Sequence, residues 1–70
     1  MDLLDHFSTE ALINIKESNL SEDDILGDIM SMREEIPPHA LLNYLLNKYK
    51  GDRQGWVDYV KTITELAKGS

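Results

Sequence analysis

LLNYLLNKYKGDRQGWVDYV, residues 41–60, decides how this 70-residue chain folds. Its leucines recur at steps of three and four up to Tyr49, the spacing of a helix that buries one face. Gly51 then interrupts the pattern, and a second helix opens on the only tryptophan, Trp56. The stretch predicts two packed helices joined by a short turn, with Gly51 as the C-cap of the first and Asp52 as the N-cap of the second.

The residues that flank this stretch set the outer bounds of the two helices. Pro37 ends whatever precedes it, and Pro38 suits the first turn of a new helix, while Gly69 ends the last one. The second helix is rich in β-branched residues, but their period is 3.6 and not 2, so a helix is predicted. Its buried face is predicted to contain Trp56, Val57, Val60, Ile63 and Leu66 or Ala67.

The N-terminal segment, residues 2–18, also has apolar residues at helical spacing. Ser8 and Thr9 compete for backbone donors and are able to cap a new turn at Glu10. The pattern leaves one helix and two helices open.

A further helix is predicted to begin after Ser21, because Asp24 three residues later gives a capping-box arrangement. Gly27 weakens this helix and predicts a kink or an early end. The apolar face is predicted to contain Ile25, Leu26, Ile29, Met30 and Met32.

These segments predict an all-α fold: a small antiparallel bundle of four to five helices in a single domain, residues 1–70. Trp56 is predicted to anchor the last helix on the third, with an exposed binding residue as the alternative.

Composition narrows the location and the chemistry. The chain has no cysteine, so it has no disulfide, thiolate metal site or thiol nucleophile, and the cytoplasm is the predicted compartment. Asp2 and Asp5 stand where a signal peptide would carry basic residues, and no apolar run is long enough to span a membrane.

The chemistry-bearing residues do not predict an enzyme. His6 and Glu10 lie one turn apart, but a zinc site needs at least one further protein ligand. Leu26 occupies the position before Gly27 where an EF-hand needs an oxygen ligand. The glycines of GDRQG, residues 51–55, lack the ending of a phosphate-binding loop. No cofactor and no metal is therefore predicted.

The net charge of −6 is unevenly divided along the chain. Residues 1–35 hold ten carboxylates and two basic residues, whereas residues 36–70 hold three carboxylates and five basic residues. An acidic chain is poorly suited to bind phosphate backbones, so no direct nucleic-acid partner is predicted. The simplest alternative is that the charged residues in both halves of the chain only solvate the exposed faces of helices.

Three stretches resemble caspase-recruitment domains, which are helical members of the death-fold superfamily. They are ALINIKESNLSEDDI (11–25), ALLNYLLNKY (40–49) and QGWVDYV (54–60), so the resemblance covers roughly residues 11–66. Family members usually have more helices in a longer chain, so this one would be a shortened death-fold.

The resemblance implies homotypic binding, in which an acidic face of one domain docks on a basic face of another. Such a contact is head-to-tail, so repeated docking would form homo-oligomers. The partner would be this chain itself or a homologous helical protein. We define the acidic patch as Glu22, Asp23, Asp24 and Asp28, and the basic patch as Lys48, Lys50 and Arg53.

Two other functions compete with this adaptor or regulator. One is a small viral or phage inhibitor of a host nucleic-acid-handling enzyme, with carboxylates in place of phosphates; such an inhibitor has no need of the basic patch. The other is a DNA-binding helix-turn-helix across residues 46–56, whose recognition helix would be nearly neutral.

Overall fold

A 3₁₀ turn and four α-helices make up the secondary structure of residues 3–69, the part of the chain that the computed structural model describes. The 3₁₀ turn is Leu3–His6, and the helices are α1 (Thr9–Glu17), α2 (Glu22–Arg33), α3 (Pro38–Lys48) and α4 (Arg53–Lys68). No strand occurs in these residues. The predicted all-α bundle is confirmed.

The N-terminal segment is divided in two at Ser8, which settles the alternative that the sequence left open. The Ser8 hydroxyl accepts a hydrogen bond from the Ala11 N–H and donates one to Asp58 on α4. Ser8 is therefore the N-cap of α1, and it also ties that helix to α4. The predicted helix start at Asp2 lies outside the described residues.

Helix α2 begins with the predicted capping box. The Ser21 hydroxyl accepts from the Asp24 N–H, and the Asp24 carboxylate accepts from the Ser21 N–H. The predicted early end at Gly27 is wrong, because one continuous α-helix extends to Arg33. The apolar contacts that α2 makes through Ile25 and Ile29 outweigh the modest cost of one glycine.

The α3–α4 turn follows the prediction at one end only. Asp52 is the N-cap of α4, where its side chain accepts from the Gly55 N–H. Gly51 is not the C-cap of α3: Tyr49 takes that position in an extended conformation, and the φ of Gly51 is not positive. A Cβ at Gly51 would lie 2.9 Å from the Asn14 Oδ1, so close packing explains this glycine.

Helix α4 is the centre of the fold and packs against α1, α2 and α3. Trp56, Tyr59 and Ile63 are fully buried on it, which confirms Trp56 as a core anchor. The Trp56 ring lies 5.7 Å from that of Tyr49 and 5.5 Å from that of Tyr59. The remaining core residues are Phe7, Ala11, Ile15, Ile25, Ile29, Leu41, Leu45 and Val60.

The predicted apolar face of α2 is wider than the face that packs. Ile25 and Ile29 are buried, but Leu26 is 49% and Met30 is 51% exposed. Positions one residue further along a helix are rotated by about 100°, which places both side chains at the side of the packed face, along an open groove that Glu65 and Leu66 of α4 also line. Within residues 3–69, every helix is too short or too polar to cross a membrane.

Candidate interaction surface

The acidic patch begins at the N-terminus of α2, where Glu22, Asp23 and Asp24 are all exposed. Their carboxylates lie at the positive end of the helix dipole, which stabilises negative charge. Asp24 has a second role, because its side chain accepts hydrogen bonds from the backbone and hydroxyl of Ser21. These bonds lower the pKa of Asp24, the backbone bond most strongly. Of these three residues, Glu22 and Asp23 can be changed without breaking the capping box that Ser21 and Asp24 form.

Asp28, the fourth member of the acidic patch, is half-buried and accepts a hydrogen bond from the Tyr59 hydroxyl. Burial raises the pKa of Asp28 and outweighs the opposing effect of this hydrogen bond. Burial, followed by the same hydrogen bond, raises the pKa of Tyr59 far above its usual value. Asp28 therefore joins α2 to α4 at the edge of the core as well as adding charge to the surface.

The basic patch begins with Lys48 at the end of α3. The Lys48 side chain contacts two tyrosines, Tyr44 and Tyr49. Its ammonium donates a hydrogen bond of 2.8 Å to the Tyr44 hydroxyl. The same nitrogen lies 5.2 Å from the ring centroid of Tyr44 and 5.4 Å from that of Tyr49, within cation–π range. The hydrogen bond to Tyr44 is the main reason that the pKa of Lys48 is raised. Lys48 is thus a fixed positive charge on the surface.

Lys50 and Arg53 complete the basic patch on the α3–α4 turn, and both are exposed. Arg53 is the first residue of α4, whose first turn has no acidic residue. A cation at this position lies at the positive end of the helix dipole, where it opposes helix formation. Helix stability gives no reason for an arginine here.

A groove between α2 and α3 brings Asp28 of the acidic patch and Lys48 of the basic patch to one edge of the molecule. It has a volume of about 340 Å³ and is lined by Asp28, Ser31, Ile36, Ala40, Leu41 and Tyr44. In this groove Asp28 of α2 lies across from Tyr44 of α3, and Ser31, later in α2, lies across from Ala40, earlier in α3. The two helices therefore run in opposite directions. Asp24 is one turn before Asp28, and Lys48 is one turn after Tyr44. Asp24 and Asp28 are therefore close enough to Lys48 for its charge to stabilise both carboxylates, and the two patches meet at these residues.

The contact that fixes the α3–α4 turn was missed by the sequence reasoning. Asn14, only 1% exposed, donates its amide to the Asp52 carbonyl at 2.7 Å and accepts from the Asp52 N–H at 3.2 Å. A polar residue stands here between Ala11 and Ile15, on the helix stripe that is otherwise buried. That interruption was the available signal. We call this pair of bonds the Asn14 clamp; it positions the turn that carries Lys50 and Arg53.

Gly51 and Gly55 give the Asn14 clamp the room that it needs. A Cβ at Gly55 would lie 2.2 Å from the Asn14 Nδ2 and 2.7 Å from the Glu10 carbonyl oxygen. The two glycines of GDRQG thus serve helix packing. The nearby Trp56 Nε1 is buried and has no hydrogen-bond acceptor among the described residues.

Metal binding has no support in the described region: residues 3–69 bring no three His, Asp or Glu side chains close enough to hold an ion. Comparisons with known proteins found no matching protein family, no matching curated protein and no matching solved structure. The resemblance to caspase-recruitment domains therefore stays a prediction.

Proposed function

We propose that this protein is a non-enzymatic interaction module that associates with itself or with a homologous helical protein through its acidic and basic patches. The observation that carries the proposal is that the residues of both patches are exposed, apart from the half-buried Asp28. Opposite surface potentials of this kind steer encounter and set specificity.

Arg53 supports the proposal because it stands where a cation lowers helix stability. A residue that costs stability at an exposed position is more readily explained by a binding partner than by folding. Lys48 supports it differently, since its bond to Tyr44 orders a long side chain before any partner arrives. An ordered side chain loses less conformational entropy on binding.

The small size of the chain points the same way. A domain of 70 residues buries a limited core and has a small margin of stability. A partner that binds only the folded state adds to that stability by mass action. Association would therefore be expected to raise the melting temperature as the protein concentration increases.

Sedimentation velocity at low ionic strength and at about 1 M salt tests the proposal, since the Debye length falls to about 3 Å at the higher value. We expect association at low salt, alone or with a homologous helical partner, and its loss at high salt. The variant Glu22→Gln/Asp23→Asn should weaken association while keeping the Ser21–Asp24 capping box. Glu10→Gln/Glu17→Gln is the matched control, because it makes the same charge change at exposed positions of α1. A monomer under all these conditions would refute the proposal.

Arg53→Gln adds a test that separates binding from folding. We expect association to weaken while the free energy of unfolding stays the same or rises slightly, because an unfavourable charge leaves the start of α4. Loss of both properties together would mean that Arg53 serves the fold.

The second candidate, an inhibitor of a nucleic-acid-handling enzyme, is favoured by one observation. Glu22, Asp23 and Asp24 form an exposed run of carboxylates that could stand in for successive phosphates. This function predicts that Lys50→Gln/Arg53→Gln still captures such an enzyme from a host extract, whereas Glu22→Gln/Asp23→Asn does not. If both variants lose the partner, the inhibitor function is excluded.

A further inference from the structure

We infer that two copies of this chain pair about a twofold axis, each placing its acidic patch against the basic patch of the other, with Tyr44 at the centre. The inference rests on the proposed self-association and specifies its geometry. It replaces the head-to-tail docking that the resemblance implied with a closed dimer.

The position of the two patches is the first argument. A head-to-tail chain needs complementary patches on separate faces, so that each copy binds a different neighbour through each face. Here the patches meet along the α2–α3 groove: Asp28 and Tyr44 line it together, and Lys48 is bonded to Tyr44. Two copies bound side by side on one edge would compete for the same space. One copy, turned by a twofold rotation, engages both patches at once.

The charge of this edge is the second argument, and it identifies the occupant. The two patches together hold four carboxylates and three cations, so their net charge is nearly zero. The negative charges lie on one side of the edge and the positive charges on the other, which is what we mean by a divided edge. A purely basic partner would be repelled by Lys48, Lys50 and Arg53, and a purely acidic one by the N-terminus of α2. The surface that matches a divided edge is another divided edge with the order reversed.

Tyr44 is the third argument. It is 49% exposed, although its ring is held by Lys48. It shares the groove with Asp28 of the acidic patch and is bonded to Lys48 of the basic patch, and a twofold axis at this point would bring it close to Tyr44 of the second copy. The groove beside it contains the exposed residues Ile36 and Ala40. Tyrosine is enriched at the centres of protein interfaces, where it adds apolar contact to a rim of charges.

Sedimentation equilibrium over a wide range of protein concentration at low salt tests the inference on the full chain. We expect the mean mass to rise to that of two chains and to stop there. A mass that continues to rise would overturn the twofold dimer while leaving the proposed self-association in place. A monomer throughout would overturn both.

Charge reversal supplies a second test. Glu22→Lys/Asp23→Lys and Lys50→Glu/Arg53→Glu should each be monomeric alone, because reciprocal pairing turns both contacts repulsive. An equimolar mixture should form a dimer of one chain of each kind, since both contacts become attractive again. Circular dichroism checks that each variant is folded. A mixture that remains monomeric although both chains are folded would overturn the inference.

Tyr44→Ala tests the centre of the interface without changing charge. We expect the dimer dissociation constant to rise by about tenfold or more, as for truncation of a central aromatic residue. Ile13→Ala on α1 is the matched control, because Ile13 is a large apolar side chain of similar exposure, 51%, away from the groove. Equal effects of the two substitutions would contradict a central role for Tyr44.

Discussion

Gly55 and Gly27 both lie inside α-helices, yet the regions around them are opposites. At Gly55 a Cβ would collide with Asn14 and with the backbone of Glu10, whereas at Gly27 a Cβ would meet nothing within 4 Å. The first region, where α1 and the α3–α4 turn meet α4, is closed by packing. The second, the outer side of α2, is open and carries the acidic patch. The difference separates the residues that determine the fold from those left for a partner.

Gly55→Ala should break the closed region and gives the largest expected effect. The added methyl group displaces the Asn14 amide, so overpacking combines with the loss of buried hydrogen bonds. We expect a loss of about 3 kcal/mol in the free energy of unfolding, measured by urea denaturation followed by circular dichroism. A loss below about 1 kcal/mol would show that the contact between α1 and α4 relaxes easily.

Asn14→Ala should have the next largest effect, because it leaves the N–H of Asp52 without its partner and removes the shorter of the two hydrogen bonds that the Asp52 carbonyl accepts. We expect a loss of about 2 kcal/mol and faster amide hydrogen exchange across the α3–α4 turn. Asn43→Ala on the exposed side of α3 is the control. If the two variants were equally stable, the Asn14 clamp would not hold the turn.

Gly27→Ala should stabilise the open region. Alanine gains about 0.5–1 kcal/mol over glycine in a helix interior, and no neighbour opposes the methyl group. Thermal and urea unfolding should both show the gain, opposite in sign to the effect of Gly55→Ala. Destabilisation would mean that the outer side of α2 is packed after all.

Asp28→Asn gives the smallest effect and tests the boundary between the two regions. Burial raises the pKa of Asp28 above 3.8. At neutral pH the ionised Asp28 carboxylate therefore lowers the free energy of unfolding. The asparagine oxygen can still accept from Tyr59. We expect the variant to be more stable than wild type at pH 7, with a difference that shrinks as the pH falls through the raised pKa toward 3.8. High salt and dilute protein keep association from contributing. If the variant were less stable than wild type at pH 7, the ionised Asp28 carboxylate would not be destabilising, contrary to the prediction.

Local signals in the sequence were sufficient for the elements of the fold. Ser21 and Asp52 mark helix starts through hydrogen bonds to residues three positions later, and Pro38 does so through its fixed φ at the first helical position. Trp56 is buried as its spacing predicts. Leu26 and Met30 were misplaced because helical period alone does not say how wide a face its neighbours cover.

The arrangement of the surface was beyond local signals. The Asn14 clamp joins positions 38 residues apart, and the bond between Asp28 and Tyr59 joins positions 31 apart. The approach of Asp24 and Asp28 to Lys48 likewise depends on how α2 and α3 each pack on α4. The charged residues were identifiable from sequence, but their shared edge required the fold.

The most direct measurement of the central claim is an NMR dilution series at low salt, in which amide shifts report where the chains meet. We predict that concentration-dependent shifts concentrate at Glu22, Asp23, Asp24, Tyr44 and residues 48–53, and that they disappear at high salt. Shifts centred on Leu26 and Met30, or no shifts at any concentration, would contradict the account.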